Sequence, residues 1–179
     1  IGADGPVGLM TVSNGTVTAQ DSVIGLAAGG TLTTRGTLTV AGGTVQTLLG
    51  FSAGYGPGVA TGTLWITGGQ FNVGGSAVLG FQPLSSGRII ISNGAATAQS
   101  LFVGDSTGLS GSLSIYSNGT MTVSSNMLVG YCPRSATGSV LIAGGTRAVT
   151  NSDVNGAVLD LSGGTLTLSG GQLIADTIV

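Results

Sequence analysis

Ten charged side chains and one thiol carry the acid, base and nucleophile chemistry open to this 179-residue chain. The bases are Arg35, Arg88, Arg134 and Arg147, and the acids are Asp4, Asp21, Asp105, Asp153, Asp160 and Asp176. Lys, Glu and His are absent. Without His, Cys132 lacks the partner that a Cys/His nucleophile needs. One cysteine makes neither an intrachain disulfide nor a cysteine zinc site. Cys132, set between Tyr131 and Pro133, is read as an incidental loop residue, with a free thiol or an intermolecular link as its chemical options. Glycoside cleavage would need two carboxyl groups about 5–10 Å apart, and the aspartates fall at different phases of the sequence pattern. Asp153 and Asp160, with Arg147 nearby, form the nearest approach to a cluster, and a local ion pair or a turn accounts for them. The expectation is therefore no enzyme: no catalytic residue, no cofactor and no metal ligand.

The net charge of −2 and the isoelectric point near 4.4 argue against nucleic acid and anionic membrane surfaces as partners. A mean hydropathy of +0.53 is high, yet Gly, Ser, Thr or Asn interrupts the apolar residues every few positions. No run approaches the roughly 18 apolar residues of a spanning helix, so membrane insertion is not expected. The 35 glycines follow no three-residue period, which excludes collagen. No GxxxxGK[ST] phosphate loop and no GGxGxD calcium repeat occurs. The first residue is Ile1 rather than Met, so the chain is expected to be either a processed product, which would imply export, or a fragment.

The elements that must position these groups are repeats. Lines beginning at Gly8, Gly36, Gly62, Gly87, Gly111, Gly138 and Gly156 read GLMTVSNGTV, GTLTVAGGTV, GTLWITGGQF, GRIIISNGAA, GSLSIYSNGTM, GSVLIAGGTRA and GAVLDLSGGTL. Each opens on a strand with apolar residues at alternate positions, such as Leu38 and Val40 or Leu64 and Ile66. Asn-Gly or Gly-Gly follows, residues that tolerate the positive φ of a sharp corner. A second short strand carries an apolar middle residue (Val17, Val45, Phe71, Ala96, Met121, Leu166), replaced by Arg147 in the sixth line. A third ends in an apolar pair and Gly: Val23-Ile24-Gly25, Leu48-Leu49-Gly50, Val78-Leu79-Gly80, Phe102-Val103-Gly104 and Leu128-Val129-Gly130. A hairpin meander uses the same corner dipeptides, but only a coil that returns above itself restores its phase every 25 residues or so. The reading is one all-β domain over residues 1–179. Its fold is a right-handed parallel β-helix, a β-solenoid of about seven coils with three short strands per coil. Its core would be roughly 30 Å long at the usual strand spacing, with Leu38, Leu64, Ile89, Leu113 and Val140 in one interior column.

Lines such as GTLTVAGGTV, SAVLGFQPLSSGRIIISNGA and NMLVGYCPRSATGSVLIAGGT resemble the Gly/Thr-rich β-strand repeats of large bacterial surface and secreted proteins, autotransporter-associated repeats among them. GAVLDLSGGTLTLSGG is similar to the GTLTLSGG core of that class. The resemblance implies a secreted or surface β-solenoid used for adhesion, scaffolding or fibre formation, and it brings no catalytic residues.

Asn14-Gly-Thr16 and Asn118-Gly-Thr120 fit the N-glycosylation triplet, though both also fit the corner that every line shares. The pairs Thr16/Thr18, Thr120/Thr122 and Thr165/Thr167 raise an ice-binding plane, interrupted by Gln46, Gln70, Asn72, Ala95 and Ala148. Phe51, Phe81 and Tyr131 each follow a third-strand glycine and suggest an aromatic ladder that could stack on itself or on sugar. The ends carry the main expectation. Neither IGADGPVGLMTV nor GGQLIADTIV supplies the charge or bulk that normally covers a terminal coil. Ile1, Val7, Met10 and Val12 at one end are expected to meet Leu173, Ile174, Ile178 and Val179 at the other end of a second copy. The function expected is thus a subunit of an extracellular bacterial fibre or surface layer, a head-to-tail homopolymer. The alternative is a surface adhesin or an ice- or carbohydrate-binding module.

Overall fold

The structure is a computed structural model, described here for residues 1–30, 32–105, 110–130, 137–151 and 156–179. Cys132, Tyr131, Arg134 and Asp153 lie outside the described residues. The strands are β1 (Gly8–Val12), β2 (Thr16–Leu26), β3 (Thr33–Val40), β4 (Thr44–Tyr55), β5 (Val59–Ile66), β6 (Gln70–Phe81), β7 (Ser86–Val103), β8 (Ser110–Val123), β9 (Asn126–Val129), β10 (Thr137–Val149), β11 (Val158–Asp160), β12 (Gly164–Leu168), β13 (Gln172–Ala175) and β14 (Thr177–Ile178). Every strand pairing is parallel. The chain is a β-solenoid, with long strands such as β7 running through all three faces. No helix long and apolar enough to cross a membrane occurs among the described residues.

The repeat glycine sets the register on the first face. Gly8 lies opposite Gly36, and the series continues through Gly62, Gly87, Gly111 and Gly138 to Gly164. Glycine is required here because the end of the third-face strand comes in against its Cα. A Cβ on Gly62 would collide with the backbone of Ile24 and Gly54. The expected interior column is present: Leu38, Leu64, Ile89, Leu113 and Val140 are in register and buried. Val40, Ile66, Ile91, Ile115 and Ile142 form a second column beside it.

Three phases differ from the sequence reading. The seventh first-face strand begins at Gly164, not Gly156. The segment Val158–Asp160 instead stacks on Asn126–Leu128 of the third face, so Leu159 belongs to the third-face core. Consequently Leu166, Thr165 and Thr167 lie on the first face, and Leu173 fills the second-face position that Leu166 was expected to hold. In the second coil, Leu48-Leu49-Gly50 is a corner. Both leucines are exposed, while Phe51 and Ala53 turn inward, with Ala53 stacked on Ile24 and Leu79. Phe51 therefore leaves the expected aromatic ladder for the core, where its ring meets Phe71 edge-on at 4.9 Å. Tyr55 takes the outer place and stacks on Phe81 at 5.2 Å.

The two core phenylalanines are accommodated by small neighbours. Phe51 is followed in its column by Ala77, and Phe71 by Ala96, small residues that leave room for each ring, as close packing requires.

Candidate functional site

Each terminal coil is paired on one side among the described residues. At the amino-terminal end, among the described residues, β1 pairs only with β3, and β2 only with β4 apart from the Ala3 bridge to Leu26. Ile1–Ala3 lies along the third face: Gly25 N–H donates to Ile1 O (2.8 Å), Leu26 N–H to Gly2 O (2.8 Å), and the Ile1 ammonium to Val23 O (2.9 Å). The first and second faces stay open there. Ile1, Met10, Val17, Val23, Leu38 and Val45 line a mouth of about 220 Å³ leading into the solenoid interior.

At the carboxyl-terminal end, among the described residues, β12 and β13 pair only with β10, and β14 only with β11. Leu161, Leu166, Leu173 and Ala175 pack against the core while only partly covered. Of the residues expected to form the two contact ends, Met10 and Leu173 point inward at open cross-sections. Val7, Ile178 and Val179 are exposed. Two are placed differently: Val12 is buried inside the first coil, and Ile174 stands on the outer surface of the second face, in register with Ala148.

The aspartates serve the backbone one by one. Asp4 accepts from Ala28 N–H (2.8 Å), Asp21 from Gly50 N–H (2.8 Å), and Asp160 from Ser162 N–H (2.8 Å). Asp176 accepts from Asn151 N–H (3.0 Å) and Ala157 N–H (2.9 Å), tying the last coil to the one before it. The hydrogen bonds from Ser162 hold the Asp160 carboxyl below its ordinary range, and those from Ala157 and Asn151 do the same for Asp176. Partial burial pushes Asp105 upward. Among the described residues no three His, Cys, Asp or Glu side chains gather as metal ligands would.

Arg147 does not pair with Asp160. It is fully buried in the second-face core column, between Met121 and Leu173. Its Nη1 donates to Met121 O (3.0 Å) and Ala148 O (3.1 Å), while Nε and Nη2 reach Met127 Sδ (3.2 and 2.6 Å). Desolvation pushes the guanidinium down to about 9. Hydrophobic patterning could not announce this residue; its phase could, since the register puts it where every other coil is apolar.

Asn14 and Asn118 sit at the corner between first and second faces. Asn14 Oδ1 accepts from Gly15 N–H (2.9 Å), and Gly15 has φ 81°, the geometry of the turn reading. On the second face the outer positions run Thr16, Thr44, Gln70, Ala95, Thr120, Thr146 and Gln172, alongside Thr18, Gln46, Asn72, Thr97, Thr122, Ala148 and Ile174. It is a mixed ladder, with Thr97 donating to Asn72 Oδ1 (3.0 Å).

No family model, curated protein or solved structure matches the chain.

Proposed function

We propose that this chain is a structural subunit of an extracellular bacterial fibre or surface layer, joined head to tail through the open ends of its solenoid. One observation carries the reading: each terminal coil offers a row of backbone groups with no strand beside it, together with an apolar cross-section. The opposite end of an identical solenoid satisfies both with the same strand spacing and glycine register. Such a contact is heterologous and propagates unless its rotation closes a ring. The low net charge sets little repulsion against it.

The third face adds a condition. If β12 and β13 of one copy pair with β1 and β2 of the next, Ile1–Ala3 and Thr177–Ile178 compete for one slot. Joining is therefore a strand exchange, in which one short terminal strand replaces the other.

Electron microscopy of the purified chain at rising concentration tests this. Filaments of solenoid width are expected. Leu173→Lys with Ile178→Lys should shorten or abolish them while the circular dichroism stays that of the wild type. Deleting residues 1–3 should hasten assembly by freeing the contested slot. A chain that stays monomeric at high concentration overturns the reading and favours the adhesin or carbohydrate-binding alternative.

A further inference from the structure

The four arginines look scattered in the sequence, and two of them are not scattered in space. Arg35 immediately precedes the repeat glycine of the second coil, and Arg88 immediately follows that of the fourth. Both positions project outward from the first face. Arg35 stacks on Thr61 and then Ser86; Thr37 stacks on Thr63, then Arg88, then Ser112. The two cations thus stand on one face two rungs apart, roughly 10 Å along the axis at the usual strand spacing.

One rung on from Arg35 the surface becomes grooved, and the groove runs past Arg88. A cavity of about 330 Å³ has Thr61, Thr63, Ser86, Arg88, Ser110 and Ser112 on its walls and the backbone of Gly62 and Gly87 in its lining. A second groove of about 260 Å³ begins at the same Ser110 and continues past Thr137, Ser139 and Thr165. No carboxylate among the described residues lines either. Arg88 is exposed, and its guanidinium meets no carboxylate in the groove. Next to it on the same outer face is Trp65, one rung below Ile90 and two residues along from Thr63. It is 43% exposed, although it is the chain's single tryptophan and its largest apolar side chain.

We infer that this first-face trench is a binding site for an acidic polysaccharide laid along the solenoid axis. Each part matches one feature of such a ligand. The planar arginine fork takes a carboxylate in two parallel hydrogen bonds. The ladder of Ser and Thr hydroxyls donates to and accepts from sugar hydroxyls. The open face of Trp65 packs against the apolar face of a pyranose ring. The ladder repeats every 4.8 Å or so, close to the advance of one sugar in an extended glycan, so successive coils address successive sugars. A neutral glycan would leave both guanidinium groups without their anion. A nucleic acid would be held by two cations only, and binding that rests on neutralising two phosphates is weak at physiological salt. The site is independent of how the ends of the solenoid pair.

Because Trp65 is the only tryptophan, tryptophan emission reports on this stretch of the first face, beside Arg88. Titration with soluble polygalacturonate should give a saturable change in emission, and dextran should give none. Arg35→Ala with Arg88→Ala should raise the dissociation constant at least about tenfold, the loss of a charge-assisted contact or more. Arg88→Lys, which keeps the charge and loses the fork, should fall between that variant and the wild type, and raised salt should weaken binding. Filament formation should be the same in all of them. Absence of a saturable change overturns the proposal. So does an equal response to dextran, a response untouched by the arginine variants, or tighter binding of single-stranded DNA than of polygalacturonate.

Discussion

Phe71 in the third coil and Arg147 in the sixth occupy one position of the repeat, in the same core column and with the same complete burial. Around Phe71 the interior is dry and complementary: an edge-on partner in Phe51, and Ala96 on the next rung to make room. Around Arg147 a charge has been taken out of water with two carbonyls and a thioether as its partners, and no carboxylate among them. Burying a charge without a counter-ion is unfavourable by several kcal/mol unless geometry offsets it. The third coil is thus a place where stability is made, and the sixth, directly under the open end, is one where it is given up. A terminal coil that seals its neighbour weakly is suited to strand exchange.

Phe71→Ala removes a fully buried ring from the aromatic pair and should destabilise the chain by about 3–5 kcal/mol, read as a lowered urea midpoint. A cost near that of an exposed alanine substitution would show that the third coil is not the anchor described. Arg147→Met runs the comparison the other way. Methionine already serves in this column at Met121, so the variant should gain about 1–4 kcal/mol and slow any exchange of the last coil. Destabilisation by Arg147→Met would mean that the thioether and carbonyl partners outweigh desolvation.

The gain should also depend on pH, with a definite sign. Burial pushes the folded guanidinium down to about 9, well below the ordinary arginine value that the unfolded chain keeps. Between those values the unfolded chain binds the extra proton, so wild-type stability rises with pH in that window. Below about 9 both states are protonated and the whole penalty is present. The advantage of Arg147→Met is therefore constant from neutral pH to about 9 and shrinks above it. An advantage that holds unchanged at pH 10.5 would place the guanidinium outside the apolar column.

The same contrast shows what the sequence makes legible. The first face could be read directly in the first six coils, because alternating apolar residues stand between a repeat glycine and an Asn-Gly or Gly-Gly corner in each. The third face could not be phased in the second coil: Leu48-Leu49-Gly50 imitates the apolar-apolar-Gly ending, while the true ending, Phe51 to Gly54, is interrupted by Ser52 on the outer surface. Gly163-Gly164 imitates a corner but opens a strand. Arg147 breaks the hydrophobic pattern; the repeat alignment sets it at a position that is apolar in the other lines, and the register shows that it nevertheless stays in that core column. Arg35 and Arg88 are 53 positions apart in the sequence, and their shared placement beside a repeat glycine is the one signal that unites them.

The mildest difference between the two regions lies in how each coil is tied to the next. The third coil has no carboxylate in its ladder. The seventh is tied to the sixth by Asp176, whose exposed carboxyl accepts the amides of Asn151 and Ala157 and is held below its ordinary range by them. A carboxyl with a depressed folded pKa binds its proton more readily in the unfolded chain. Its contribution is complete above the ordinary carboxylate value, near 3.9, and is lost as pH falls through the folded one. Full solvent exposure keeps that contribution small, so global unfolding is the wrong place to look for it. The amide protection factor of Ala157 should drop between pH 6 and pH 3 relative to that of Ile66 in the third coil. Asp176→Asn keeps an acceptor oxygen but cannot titrate, and should remove the drop. If Ala157 holds its protection in acid, the last coil is secured by its packing on Leu159 and Val149 rather than by this carboxylate, and the terminal coil is a firmer lid than strand exchange requires.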